Sequence, residues 1–117
     1  MSKDELAEEI NSKWNQHKHK YNALVRWDSV KLTLKRLVQI ATTLGARAVS
    51  KIVSNYCKDF KYWNHGMPDL ILWHEELGRA KFSEVKSESD RLSEVQIAWL
   101  NFFNENGIEA EVCYINR

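Results

Sequence analysis

The apolar positions of this chain change their period along its length. Leu6, Ile10 and Trp14 recur at helical spacing behind Ser2-Lys3-Asp4-Glu5, which has the capping-box pattern. The polar run Asn15 to Lys20 predicts the end of that helix. Leu34, Leu37, Val38, Ala41 and Leu44 form a second stripe, for which Asp28 can serve as cap. Gly45 interrupts it, and Val49, Ile52, Val53 and Tyr56 make a third. The simplest use of all three stripes is core packing, and none carries chemistry by itself.

After Asp69 the period shortens. Leu70-Ile71-Leu72-Trp73 reads as a short, mostly buried strand, Glu75 to Arg79 as a turn, and Ala80 to Lys86 as an alternating second strand. Ser93-Glu94-Val95-Gln96 is another capping box. It opens a helix with Val95, Trp99, Phe102 and Phe103 on one side, stopped by Asn106-Gly107. Ile108 to Ile115 alternates as a closing strand. The order predicts an α/β domain, residues 1–62 mainly helical and 63–117 a ββαβ unit.

A chain of 117 residues is read as one domain, large enough for a core without disulfide or metal staples. A hydrophobic content of 44% with a mean hydropathy of -0.53 fits a soluble globular protein. No run approaches the roughly 18 apolar residues of a membrane span. Met1-Ser2-Lys3-Asp4-Glu5 has no apolar signal region, so secretion is not expected. Cys57 and Cys113 lack metal-ligand spacing and are expected as free, buried thiols in a reducing compartment.

The net charge of +1 is unevenly spread. Residues 21–67 carry eight Lys/Arg against Asp28 and Asp59, whereas residues 68–117 carry five against ten acids. A basic segment beside an acidic half suits phosphate binding next to metal binding. Taken singly, Lys31, Lys35, Arg36, Arg47 and Lys51 are better explained as the wet faces of helices.

The candidate chemistry lies in Gly66-Met67-Pro68-Asp69 and Glu84-Val85-Lys86. A hairpin of the predicted length returns Glu84 to Asp69. Glu84 and Lys86, two apart on a strand, share a face. Two carboxylates with an ammonium beside them suit a hard divalent ion and an attacking water. The bland alternative is a strand-capping Asp69 and a solvated Glu84–Lys86 surface pair. Pro68 stiffens the approach to Asp69, and Gly66 permits close approach of a ligand or another backbone. The polar Ser87 to Ser93 segment keeps the strand end accessible to solvent. Phe60, Tyr62 and Trp63 could stack on a base or pack under the sheet.

Asp69 with Glu84-Val85-Lys86, then Asp90-Arg91-Leu92-Ser93, Gln96, Trp99-Leu100, Gly107 and Glu111-Val112-Cys113-Tyr114-Ile115, resembles the VRR-NUC family of the PD-(D/E)xK nuclease superfamily. Lys58-Asp59-Phe60 and Gly66-Met67-Pro68-Asp69 extend the resemblance to the branch of C-terminal nuclease domains from Fanconi-anaemia-associated nucleases. It is dense from about Trp63 to Tyr114 and thinner from Trp14 through Trp27-Asp28 to Phe60.

The resemblance implies a restriction-endonuclease-like fold, with a mixed central sheet flanked by helices and extra helices at the N-terminus. It implies a Mg²⁺- or Mn²⁺-dependent DNA nuclease, catalytic residues Asp69, Glu84, Lys86 and Gln96, and metal contacts from Asp69, Glu84 and the Val85 carbonyl. Gln96 has a competing use as the capping residue, and the two need not exclude each other. Lys81, Arg91, Lys58 and Lys61 are candidate DNA contacts, and His65 is a weaker one. The implied substrate is 5′-flap or branched DNA in interstrand crosslink repair, in a nucleus. Family members carry a further metal-binding glutamate on an upstream helix. Alignment at Trp14 and Trp27 places its equivalent before Met1; Glu5, Glu8 and Glu9 are carboxylates on the first helix that could substitute, but no spacing supports that use. Two alternatives stand beside the nuclease: the missing glutamate suggests a branched-DNA-binding module with weak or no catalysis, and the resemblance to small stand-alone relatives suggests a dimer like the Holliday-junction resolvases. A longer chain could supply further domains.

Overall fold

The computed structural model describes residues 1–17 and 33–116. Helix α1 spans Lys3–His17. The Glu5 N–H donates to Ser2 Oγ at 3.1 Å, which is the Ser2 half of the expected capping box. Helix α2 spans Leu34–Leu44. Its cap is Thr33, whose Oγ1 accepts from the Arg36 N–H at 3.2 Å. Asp28, the cap expected from the sequence, lies outside the described residues. Gly45, at φ +91°, ends α2 and starts α3, Ala46–Lys58. Asp59 caps the short helix α4, Phe60–Trp63.

The hairpin follows as β1, Leu70–His74, and β2, Arg79–Ser87. Helix α5, Glu94–Glu105, then crosses over to β3, Ala110–Ile115. The sheet order is β1-β2-β3, antiparallel between β1 and β2 and parallel between β2 and β3. The parallel pair needs a crossover connection, which α5 supplies.

The core forms where helices cover one face of the sheet. Phe82, from the central strand, stacks on Phe103 with ring centroids 4.5 Å apart. Trp99 lies against Phe103, and neither of these α5 residues is exposed to solvent. Ala48 and Ile108 complete the buried cluster, with Trp63, Tyr56 and Ile71 packed around it. The aromatic segment before the motif therefore packs inward at Trp63, which meets Trp99 edge to face at 5.1 Å.

Three expectations about burial are corrected. Strand β1 is not mostly buried: Leu70 and Leu72 are about half exposed, because β1 edges the sheet and only its Ile71 side reaches the core. Strand β2 does not alternate, since Phe82, Ser83 and Glu84 are all buried at the centre of the sheet. Cys57 and Cys113 are exposed rather than buried. Cys113 stands on a strand whose outer residues are left open to solvent, and Cys57 on the wet side of α3.

Candidate active site

The hairpin register places Leu70 opposite Ser83, so Asp69, one residue before the paired segment, lies beside Glu84. The Val85 N–H donates to Asp69 Oδ2 at 3.3 Å and ties the loop carboxylate to the central strand. Pro68, which is buried, fixes the chain immediately before it.

Glu84 is only 2% exposed. Its Oε1 accepts from Gln96 Nε2 at 2.8 Å and stands 3.6 Å from Lys86 Nζ. Its Oε2 is buried without a hydrogen-bond partner. Burial raises the Glu84 pKa above the ordinary carboxyl value, the charge of Asp69 raises it further, and Lys86 opposes both. Lys86 is itself enclosed, with its side chain 16% exposed. A solvated surface pair does not describe these residues.

A buried carboxylate oxygen with no donor is costly to keep. Its environment has the character of a cation site: two carboxylates whose charges repel, one oxygen unsatisfied, and hard oxygen donors of the kind Mg²⁺ and Mn²⁺ prefer. Among the described residues, no group of three or more His, Cys, Asp or Glu side chains is assembled for a metal. Glu5, Glu8 and Glu9 are exposed on α1, which packs against α2, and Glu9 pairs with Lys13 at 3.9 Å.

The first turn of α5 organises the site. Ser93 Oγ accepts from the Gln96 N–H at 3.1 Å, and the Ser93 N–H donates to Gln96 Oε1 at 2.8 Å. Gln96 thus caps the helix with its oxygen and donates to Glu84 with its nitrogen. Gly66 approaches a backbone rather than open space. A Cβ on it would stand 2.8 Å from the Gln96 nitrogen and 3.0 Å from the Val95 carbonyl carbon. Trp99 adds a tie that the sequence did not announce. Its indole N–H is shared between the Trp63 and His65 carbonyl oxygens at 3.0 and 3.1 Å, holding the loop that leads to Asp69. The spacing of Trp99 three residues after Gln96 was the available signal; nothing in the sequence identified its acceptors.

The remaining candidates divide. Arg91 is exposed in the β2–α5 connection. The turn before it is closed by Asp90, which accepts from the Ser87 N–H and hydroxyl at 3.0 and 2.8 Å, bonds that hold its carboxyl below the ordinary range. Lys58 and Lys61 are exposed at the end of α3 and in α4, and His65 is exposed in the loop after α4. Lys81 is not brought to the carboxylates. It stands three residues before Glu84, on the opposite face of β2, and pairs with Glu111 at 3.1 Å.

The chain matches the VRR-NUC domain over residues 1–116. It is 31% identical over 102 residues to Fanconi-associated nuclease 1 of Homo sapiens, a match covering 87% of this chain and 10% of that protein. It is 36% identical over 118 residues to the homolog from Oryza sativa subsp. japonica, covering 97% of this chain and 12% of the relative. The chain therefore spans about a tenth of the length of these relatives. In structure it is similar to paFAN1 bound to 2-nucleotide 5′-flap DNA with a gap, at a TM-score of 0.79 and 26% identity, covering 95% of this chain and 20% of that one. The mixed sheet with its helices is thus the restriction-endonuclease-like fold of that nuclease domain. With the match running over nearly its whole length, the chain belongs to the VRR-NUC nuclease family.

Proposed function

We propose that this chain is the catalytic domain of a metal-dependent, structure-selective DNA nuclease that hydrolyses phosphodiesters near 5′ flaps or branches. The observation that carries the reading is the buried, unpartnered Glu84 Oε2 beside Asp69, with Lys86 Nζ 3.6 Å from the other oxygen. Asp69, Glu84 and the Val85 carbonyl are the oxygen donors for Mg²⁺ or Mn²⁺. When bound, such an ion supplies Lewis-acid polarisation of the phosphodiester and favours ionisation of the attacking water. Lys86 orients that water and offsets the charge that develops on the phosphoryl oxygens. Gln96 keeps Glu84 in one rotamer. Arg91, Lys58 and Lys61 contact the DNA backbone, and Lys81, on the far face, is left out of that set. Residues 63–117 are the catalytic ββαβ core, and the described helices α1, α2 and α3 support it.

The DNA and the biological setting are carried over from relatives that are much longer. Similarity to Fanconi-associated nucleases and to a flap-bound structure supports a role in interstrand crosslink repair within the nucleus. A labelled 5′-flap duplex with Mn²⁺ tests the reading, wild type against Asp69→Ala. Cleavage by the wild type alone is expected. Cleavage that survives the substitution sinks it.

One observation favours a second reading. Among the described residues only two acids converge on the site, while Glu5, Glu8 and Glu9 stand on α1 away from it. A nuclease-fold module that holds branched DNA without cutting it is consistent with that smaller ligand charge. Calorimetric titration with Mn²⁺ separates the two, because such a module need not bind metal at Asp69.

A further inference from the structure

Tyr114 is paired with Lys86 across the parallel β2–β3 register. In-register side chains leave a sheet on the same face, so Tyr114 stands beside Lys86 on the face that carries Glu84. Val112, opposite Glu84, is half-buried, whereas Tyr114 is 61% exposed. The aromatic residues nearer the core are already committed to one another: Trp63, Trp99, Phe102 and Phe103 form a connected set of ring contacts. Tyr114 makes no ring contact with a described residue. An exposed tyrosine in an edge strand leaves a large apolar surface wet, and here it does so about 4.8 Å, one strand spacing, from the Lys86 strand.

We propose that Tyr114 is a stacking platform for the base of the nucleotide next to the phosphodiester that is cleaved. The inference rests on the assignment of Glu84 and Lys86 to that phosphodiester, and it adds a basis for selectivity. A base inside a continuous duplex has both faces covered by its neighbours. A base at a flap, gap or branch point has a face open to an aromatic ring. Stacking of this kind tolerates any base, because each has a π-face. Tyr114 therefore favours interrupted DNA over continuous duplex without reading sequence.

The test places 2-aminopurine on either side of the cleavage position, mapped with Mn²⁺ on a 5′-flap duplex, and uses Ca²⁺ for binding without turnover. Wild type and Tyr114→Phe are expected to quench the probe, while Tyr114→Ala does not. Tyr114→Ala should weaken flap binding by about tenfold, the effect of losing one base–aromatic stack, and leave continuous-duplex binding unchanged. Tyr114→Leu preserves an apolar strand residue and should behave as the alanine variant does. Equal quenching by wild type and Tyr114→Ala overturns the inference, as does an equal loss of flap and duplex binding. Asp69→Ala separates it from the catalytic assignment. Lost cleavage with retained quenching supports both readings, whereas unchanged cleavage defeats the catalytic assignment, and with it this inference as framed.

Discussion

Gln96 and Glu84 are joined by a 2.8 Å hydrogen bond from the amide nitrogen to Oε1, while the same amide accepts the Ser93 N–H at 2.8 Å. One side chain therefore serves the cap of α5 and the orientation of a buried carboxylate. The two uses separate by mutation. Ser93→Ala removes the hydroxyl acceptor but keeps the Ser93 N–H that holds Gln96. It should cost about 1 kcal/mol of stability, the usual effect of losing a cap, with cleavage changed less than threefold. Gln96→Ala should cost a similar amount in a denaturant melt but lower single-turnover cleavage by about tenfold to a hundredfold, on the scale of losing one positioned polar group. Equal effects of both variants on cleavage would show that Gln96 acts only as a cap.

Gly66 and Gly78 form a matched pair for testing the contact between the motif loop and α5. Both have positive φ, +78° and +61°, but a Cβ on Gly78 meets open space. Alanine at either position takes on left-handed backbone strain of about 1 kcal/mol. At Gly66 it also collides with the Gln96 nitrogen, an overpacking of about 1–3 kcal/mol more. Thermal melts should rank Gly66→Ala well below Gly78→Ala. A Mn²⁺ titration should weaken only for Gly66→Ala, since displacing this loop moves Asp69 away from Glu84.

Lys86→Ala should cut cleavage by on the order of a hundredfold, because the group that orients the water and offsets developing charge is gone. Its enclosure changes what an exposed strand-end lysine would predict for folding. With the ammonium removed, Glu84 faces Asp69 with no cation paired to it among the described residues, so the metal-free melt at neutral pH should fall. Added Mn²⁺ should restore much of the loss. An unchanged cleavage rate in single-turnover assays would remove Lys86 from the mechanism.

Glu84→Gln predicts a pH signature whose sign follows from burial. The Glu84 carboxyl has a folded pKa above its ordinary value of 4.5, through desolvation first and Asp69 second. The folded state then holds that proton more tightly than the unfolded state, and stability declines as pH rises through the interval between the two values. Glu84→Gln removes this penalty. In metal-free buffer it should melt above wild type at pH 7, with the difference vanishing below about pH 4, where the unfolded carboxyl is also protonated. Saturating Mn²⁺ should reverse the order, because only the carboxylate gains from the ion. A constant difference across the pH range would contradict the assignment.

The sequence by itself determined the features that depend on near neighbours. Helical stripes, the Ser93–Gln96 capping box, the Gly45 break and the hairpin joining Asp69 to Glu84 follow from side-chain period, capping chemistry and turn length, which act within a few residues of chain. The family was legible for the same reason, since its residues stand at set spacings along the second half. Only the tertiary structure decided which groups lost their water. Glu84 and Lys86 are enclosed because β2 takes the middle of the sheet, with β1 on one side and the non-local parallel strand β3 on the other. Leu70, Leu72 and Cys113 remain exposed because the outer strands are covered on one side only. Gly66 meets Gln96, and Trp99 reaches the Trp63 and His65 carbonyls, because α5 crosses back over the loop that precedes β1. The two Trp99 bonds span 36 and 34 residues of sequence, and a pattern with a period of two or four carries no information about where such segments will meet.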